Sequence, residues 1–86
     1  MRYYKGVYKL IILVADDNWN GNCDECIIFY QGKWTYDPAT TLGMHFAPIR
    51  KLEVLLLTGQ VPGIEEARDI IRKGREEWRQ RYLSER

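Results

Sequence analysis

The chain has 86 residues, 45% hydrophobic and 29% charged, with a formal net charge of +1. These values describe one globular domain over residues 1–86 and exclude a disordered or fibrous chain. The near-neutral charge argues against a protein whose main task is to hold a phosphate backbone. There is no apolar run of eighteen residues that would span a membrane as a helix.

A chain of this size buries only about 60–65% of the surface its unfolded form exposes. Three tryptophans, six tyrosines and two phenylalanines are many for so short a chain. Such rings enlarge a small core, and they also suit interfaces. The apolar run at residues 10–15 is short and is followed by acids, with no small-residue cleavage site. A signal peptide is therefore not expected, and the expected location is cytoplasmic. Two cysteines make no disulfide framework.

Residues 7–15 (VYKLIILVA) are rich in β-branched and aliphatic side chains and predict the first strand. Residues 10–14 are apolar on both alternating faces. An interior strand covered on both sides reads this way. So does a strand covered by helices on one face and by a second subunit on the other.

Residues 16–25 (DDNWNGNCDE) form a polar loop with a turn signal at Asn20-Gly21. Cys26–Tyr30 is the second predicted strand and residues 33–36 the third, joined by a tight turn at Gln31-Gly32. A two-residue turn sets Tyr30 opposite Lys33, Phe29 opposite Trp34 and Ile27 opposite Tyr36. Asp37-Pro38 ends the hairpin, and residues 39–47 are irregular. Residues 48–58 (PIRKLEVLLLT) fit a strand as well as a helix. A helix is expected, because Pro48 suits its start, Gly59 its end, and Ile49, Leu52 and Leu56 share a face.

Residues 64–86 read as one long amphipathic helix. Ile64, Ala67, Ile71, Gly74, Trp78 and Tyr82 recur at three and four and form an apolar seam. Arg68, Arg72, Arg75 and Arg79 make a parallel stripe. The expected fold is α+β: a small antiparallel sheet of about three strands followed by two helices, β-β-β-α-α.

Four patterns carry candidate chemistry. Cys23 and Cys26 have zinc-knuckle spacing, with His45 the only further good ligand. Asp16, Asn18, Asn20, Gly21 and Asp24 fall at positions one, three, five, six and nine of an EF-hand-like calcium loop, but position twelve is Ile27 rather than a bidentate glutamate. Neither cofactor is expected, since the ligand sets are incomplete. His45 has no nucleophile and orienting acid near it in sequence, so no catalytic residues and no enzymatic activity are expected. The arginine stripe would serve a nucleic-acid-binding module. Glu65–Arg68, Asp69–Arg72 and Glu77–Arg81, spaced three or four apart, instead suit a self-paired, solvated face.

The leading expectation is a small non-enzymatic protein–protein interaction module, an adaptor or modulator that forms a homodimer. Its expected interface is Gly74, Trp78 and Tyr82, with the apolar seam of the C-terminal helix crossing a neighbour at Gly74. That neighbour is expected to be the helix of residues 48–58 or the same helix of a second subunit.

Overall fold

The computed structural model describes residues 1–84. In chain order it contains β1 (Arg2–Gly6), β2 (Ile12–Ala15), β3 (Cys26–Tyr30), β4 (Lys33–Thr35), α1 (Pro38–Thr41), β5 (Phe46–Ile49), α2 (Lys51–Thr58) and α3 (Ile64–Ser84). The five strands form one antiparallel sheet in the order β4-β3-β2-β1-β5. The α+β class and the long last helix agree with the sequence, but two strands were not anticipated.

The first is β1. The apolar run at residues 7–15 conceals a chain reversal, and only its end is strand β2. Val7, Tyr8 and Leu10 lie exposed at the hairpin tip. Gly6 permits the reversal: a Cβ there would stand 2.5 Å from the Lys9 carbonyl oxygen and 3.2 Å from Met44 Cε. The Gly6 amide donates to the Ile11 carbonyl at 2.8 Å, closing the turn.

The second is β5, which takes Pro48 and Ile49 out of the expected helix. Tyr4 pairs with Pro48 across the ladder. Proline is tolerated here because β5 is an edge strand, where an amide facing outward has no ladder partner to lose. Helix α2 therefore begins at Lys51. It ends as expected at Gly59, whose left-handed φ of 80° lets its amide return to the Leu55 carbonyl at 2.8 Å. The irregular stretch contains the single turn α1, capped by Asp37, which accepts from the Thr40 amide at 3.1 Å.

The β3–β4 hairpin has the expected register, with Tyr30 opposite Lys33 and Phe29 opposite Trp34. Gln31 and Gly32 both have positive φ, 54° and 82°, as a two-residue turn compatible with strand twist requires. The Phe29 and Trp34 rings pack with centroids 5.2 Å apart.

Strand β2 is central, and all its residues are buried. On one face Ile11, Leu13, Ala15, Cys26 and Ile28 form a cluster closed by Tyr4, Trp19, Tyr30, Met44 and Phe46. These come from strands and loops, with no helix among them. On the other face Val14 and Ile27 meet Ala67, with Ile70 and Ile71 of α3 and the rings of Tyr3 and Trp34 packed alongside. Of the two readings of this strand, burial on both faces within one chain is the one observed.

Helix α3 lies across β3 and β4 and passes the edge of the sheet at Gly74. A Cβ on Gly74 would overlap the Tyr36 ring, standing 2.6 Å from its Cγ. The neighbour that Gly74 accommodates is thus the ring that follows β4, in place of the expected helix of residues 48–58 or a second subunit. Beyond this contact, residues 75–83 are all exposed.

Gly74→Ala should lower stability by about 1–3 kcal/mol through overpacking, even though alanine gains about 1 kcal/mol in helix propensity. In a Tyr36→Ala background the same substitution should be neutral or stabilising. Denaturant unfolding of the four proteins in this cycle measures the coupling.

Candidate functional site

The loop of residues 16–25 is held by its own side chains. Asp16 Oδ1 accepts from the Asn18 amide at 3.5 Å, Asn20 Oδ1 from the Asn22 amide at 3.2 Å and Asn22 Oδ1 from the Asp24 amide at 3.4 Å. Successive Asx turns of this kind are why such loops are rich in Asp and Asn. Trp19 is fixed at the loop's base: its indole N–H donates to the Asn22 carbonyl at 2.7 Å, and its ring packs on Tyr4 at 5.3 Å.

Between this loop and α3 runs an open groove of about 580 Å³. Val14, Ala67 and Ile71 contribute apolar surface, Trp19 and Glu25 line the loop side, and the arginine stripe lines the helix side. The fold has thus brought together two features 40 or more residues apart in the chain, the polar loop and the arginines.

The four arginines divide into two pairs. Arg68 reaches Asp16 Oδ2 at 3.2 Å, and Arg75 donates to the Asp24 carbonyl at 2.7 Å, so these two tie α3 to the loop. Arg72 pairs along the helix with Asp69 at 3.0 Å, and Arg79 approaches Glu76 at 3.8 Å. All these ion pairs are exposed, worth about 0–1 kcal/mol each. The Arg68 hydrogen bond, aided by the Asn18 amide, holds the Asp16 carboxyl below its ordinary pKa.

The zinc candidates Cys23, Cys26 and His45 are not brought together. Cys26 opposes Ala15, which opposes Arg2 at the start of β1, whereas His45 adjoins Phe46, which opposes Gly6 at its end. His45 accepts from the Val7 amide through its carbonyl at 3.0 Å, and its ring meets Tyr8 at 6.5 Å. Cys26 is buried against the sheet, and its thiol contacts the Cys23 carbonyl at 3.6 Å. Burial first, then the nearby Cys23 and Asp24, push the Cys26 thiol up to about 12, so its metal-binding thiolate form is disfavoured. Of the calcium candidates Asp16, Asn18, Asn20 and Asp24, the Asp16 and Asn20 side chains accept from loop amides, and Asp16 also meets Arg68. Among the described residues Asp24 Oδ1 is buried without a hydrogen-bond partner. Among the described residues no three His, Cys, Asp or Glu side chains are grouped to hold a metal ion.

The remaining candidate surface is apolar. Helix α2 buries only Val54 and leaves Leu52, Leu55, Leu56 and Leu57 exposed, Leu56 to 76%. The seam of α3 continues past Gly74 to Trp78 and Tyr82, 39% and 64% exposed, with Leu83 also exposed. Of the expected interface residues, Gly74 is packed against Tyr36 of its own chain, while Trp78 and Tyr82 reach the surface. The leucines of α2 went unrecognised as surface because their pattern suits a core helix. Their one signal was number: four leucines and a valine in eight residues exceed what one buried face of two turns can cover.

No helix among the described residues is long and apolar enough to cross a membrane. Comparison with family models, curated proteins and solved structures found no significant match to this chain.

Native protein treated with iodoacetamide near pH 8 should be alkylated at half-buried Cys23 and spared at Cys26; denatured protein should react at both. Peptide mapping distinguishes the sites. The Cys26 thiol keeps its proton in the folded state while the unfolded thiol ionises from its ordinary value of 9.0, so its linkage removes stability as pH rises from 9.0 to about 12. Cys26→Ala should flatten that part of the alkaline stability profile relative to wild type.

Proposed function

We propose that this protein is a small, non-enzymatic protein–protein interaction module, an adaptor or modulator that self-associates. The observation that carries this reading is the concentration of large apolar side chains left in water on two helices. Leu52, Leu55, Leu56 and Leu57 lie on α2, and Trp78, Tyr82 and Leu83 on the end of α3. Scattered exposed apolar residues are ordinary, but grouped ones mark interaction surfaces in soluble domains. The aromatic surplus supports the same reading, since tryptophan and tyrosine are enriched where interfaces derive their energy.

The arginine stripe supports a nucleic-acid role less well. Arg68 and Arg75 are engaged with the loop, and Asp16 and Glu25 on the groove's opposite side would repel a phosphate backbone. Binding of a single-stranded oligonucleotide should be no tighter than about micromolar near physiological salt, as measured by fluorescence anisotropy. A tight complex that weakens steeply with salt would replace the interaction reading with the nucleic-acid one.

Native mass spectrometry of the purified protein tests the leading reading. The expected result is a dimer whose share rises with concentration, carrying no bound zinc or calcium. A metal-bound monomer would favour a metal-loop protein built on residues 16–26. A metal-free monomer at every concentration would overturn self-association.

A further inference from the structure

One end of the sheet gathers the β1–β2 reversal (residues 7–11), the β3–β4 turn (residues 31–32) and the segment entering β5 (residues 42–45). The strand registers place them together: Lys5 opposes Ile12, Tyr30 opposes Lys33 and Phe46 opposes Gly6. The Val7 amide donates to the His45 carbonyl at 3.0 Å, which ties the reversal to the segment before β5. Polar and small residues are usual at such reversals. This one carries Val7, Tyr8 and Leu10, with Leu42 in the adjoining segment, all exposed, Tyr8 to 85% and Leu10 to 69%.

Lys5, Lys9 and Lys33 are exposed at the same end. The stretches that build it, residues 5–11, 28–34 and 42–47, contain no Asp or Glu. Among the described residues none of these three lysines takes part in an ion pair. Asp37 lines a hollow with Tyr30 and Lys33, but its carboxylate is engaged in capping α1. The acidic loop that holds Asp16, Asp17, Asp24 and Glu25 joins β2 to β3 at the opposite end of the sheet.

We infer that this end of the molecule docks on an anionic lipid bilayer. Val7, Tyr8 and Leu10 enter the headgroup region, and Lys5, Lys9 and Lys33 meet the lipids' negative charge. The surface is separate from α2 and α3 and does not rest on self-association. Charge selects the occupant, because a second copy of the chain would bring the same lysines against one another. Shape selects a bilayer over an acidic protein. The apolar side chains sit around a chain reversal rather than along one strand face, so no flat protein surface covers them together. Fluid lipid closes around a convex tip. Tyrosine suits the boundary, with its ring in apolar surroundings and its hydroxyl at the headgroups. Lysine stems lie along apolar surface while their charged heads stay at the phosphates.

The anchor is small. A single myristoyl chain supports an association constant of only about 10⁴ M⁻¹, and shallow insertion of a few side chains contributes less than that. Each lysine close to an anionic surface strengthens binding roughly fivefold. Half of the protein should therefore be bound at on the order of 1 mM accessible lipid when anionic lipid is present.

Flotation of the full chain with phosphatidylcholine vesicles, with and without about 30% phosphatidylserine, tests this. Circular dichroism confirms that each variant remains folded. Binding should be at least about tenfold weaker without phosphatidylserine and should weaken as salt rises. Tyr8→Ser with Leu10→Ser, and separately Lys5→Glu with Lys9→Glu, should each weaken binding to the anionic vesicles at least about tenfold. Leu52→Ser with Leu56→Ser on α2 should leave it unchanged. A wild-type chain that floats with neither vesicle at up to about 5 mM lipid would overturn the inference. So would binding that withstands the Tyr8 and Leu10 substitutions or depends on the α2 leucines. A chain that ignores vesicles but binds soluble polyglutamate through Lys5 and Lys9, as read by fluorescence anisotropy, would assign this end to an acidic protein instead.

Discussion

The whole arrangement depends on burying strand β2 from both sides. It is the middle strand of five, and its side chains point alternately into two separate clusters. A sheet with one helix layer normally leaves its other face to water, giving an alternation of apolar and polar residues. Here the second face is closed by Trp19, Met44, Phe46 and the flanking tyrosines. The aromatic surplus is thereby partly accounted for: large rings reaching in from loops and neighbouring strands cover the aliphatic side chains of β2 and β3. A small domain obtains two thin apolar layers from a single sheet.

Helix α3 is attached to this sheet by shape and by polar ties. The ring of Tyr36 occupies the space that a side chain at Gly74 would need. Arg68 and Arg75 reach the loop joining β2 to β3 and hold it beside the helix. The two exposed contacts are individually weak, but both connect α3 to the same loop. Trp19 in that loop closes the opposite face of the sheet. Packing on the two faces is thus connected through residues 16–25, and the polar composition of the loop serves that connection through its Asx turns.

What the packing leaves uncovered is as informative as what it covers. The polar and charged candidates singled out by spacing have local structural engagements: Asp16 and Asn20 in turns, Arg68 and Arg75 in ties to the loop, Cys26 in the core. Leu52, Leu55, Leu56 and Leu57 of α2 and Trp78 of α3 are instead exposed. That contrast is the ground of the interaction role proposed above.

Much of the local structure was legible in the sequence because local rules decide it. The Gln31-Gly32 turn determines its own hairpin register, Gly59 stops α2, and three- and four-residue spacing reveals α3. The double-sided burial of β2 was legible in its unbroken apolar run. Other features were not, for a common reason. The apolar run of residues 7–15 looks the same whether it is one long strand or a hairpin tip followed by a short one, and only the close approach of Lys9 and Met44 to Gly6 decides. Pro48 suits a helix start and an edge strand equally, and its pairing with Tyr4 selects the strand. The seam of α3 announces that the helix is amphipathic, but not where its sheet ends. That point is set by Tyr36, 38 residues earlier in the chain. Sequence by itself determined the elements whose energetics are local, together with the stripes and loops that were candidates for function. Tertiary structure alone decided which of those residues meet, because contact between distant segments depends on how the sheet and helix fill space together.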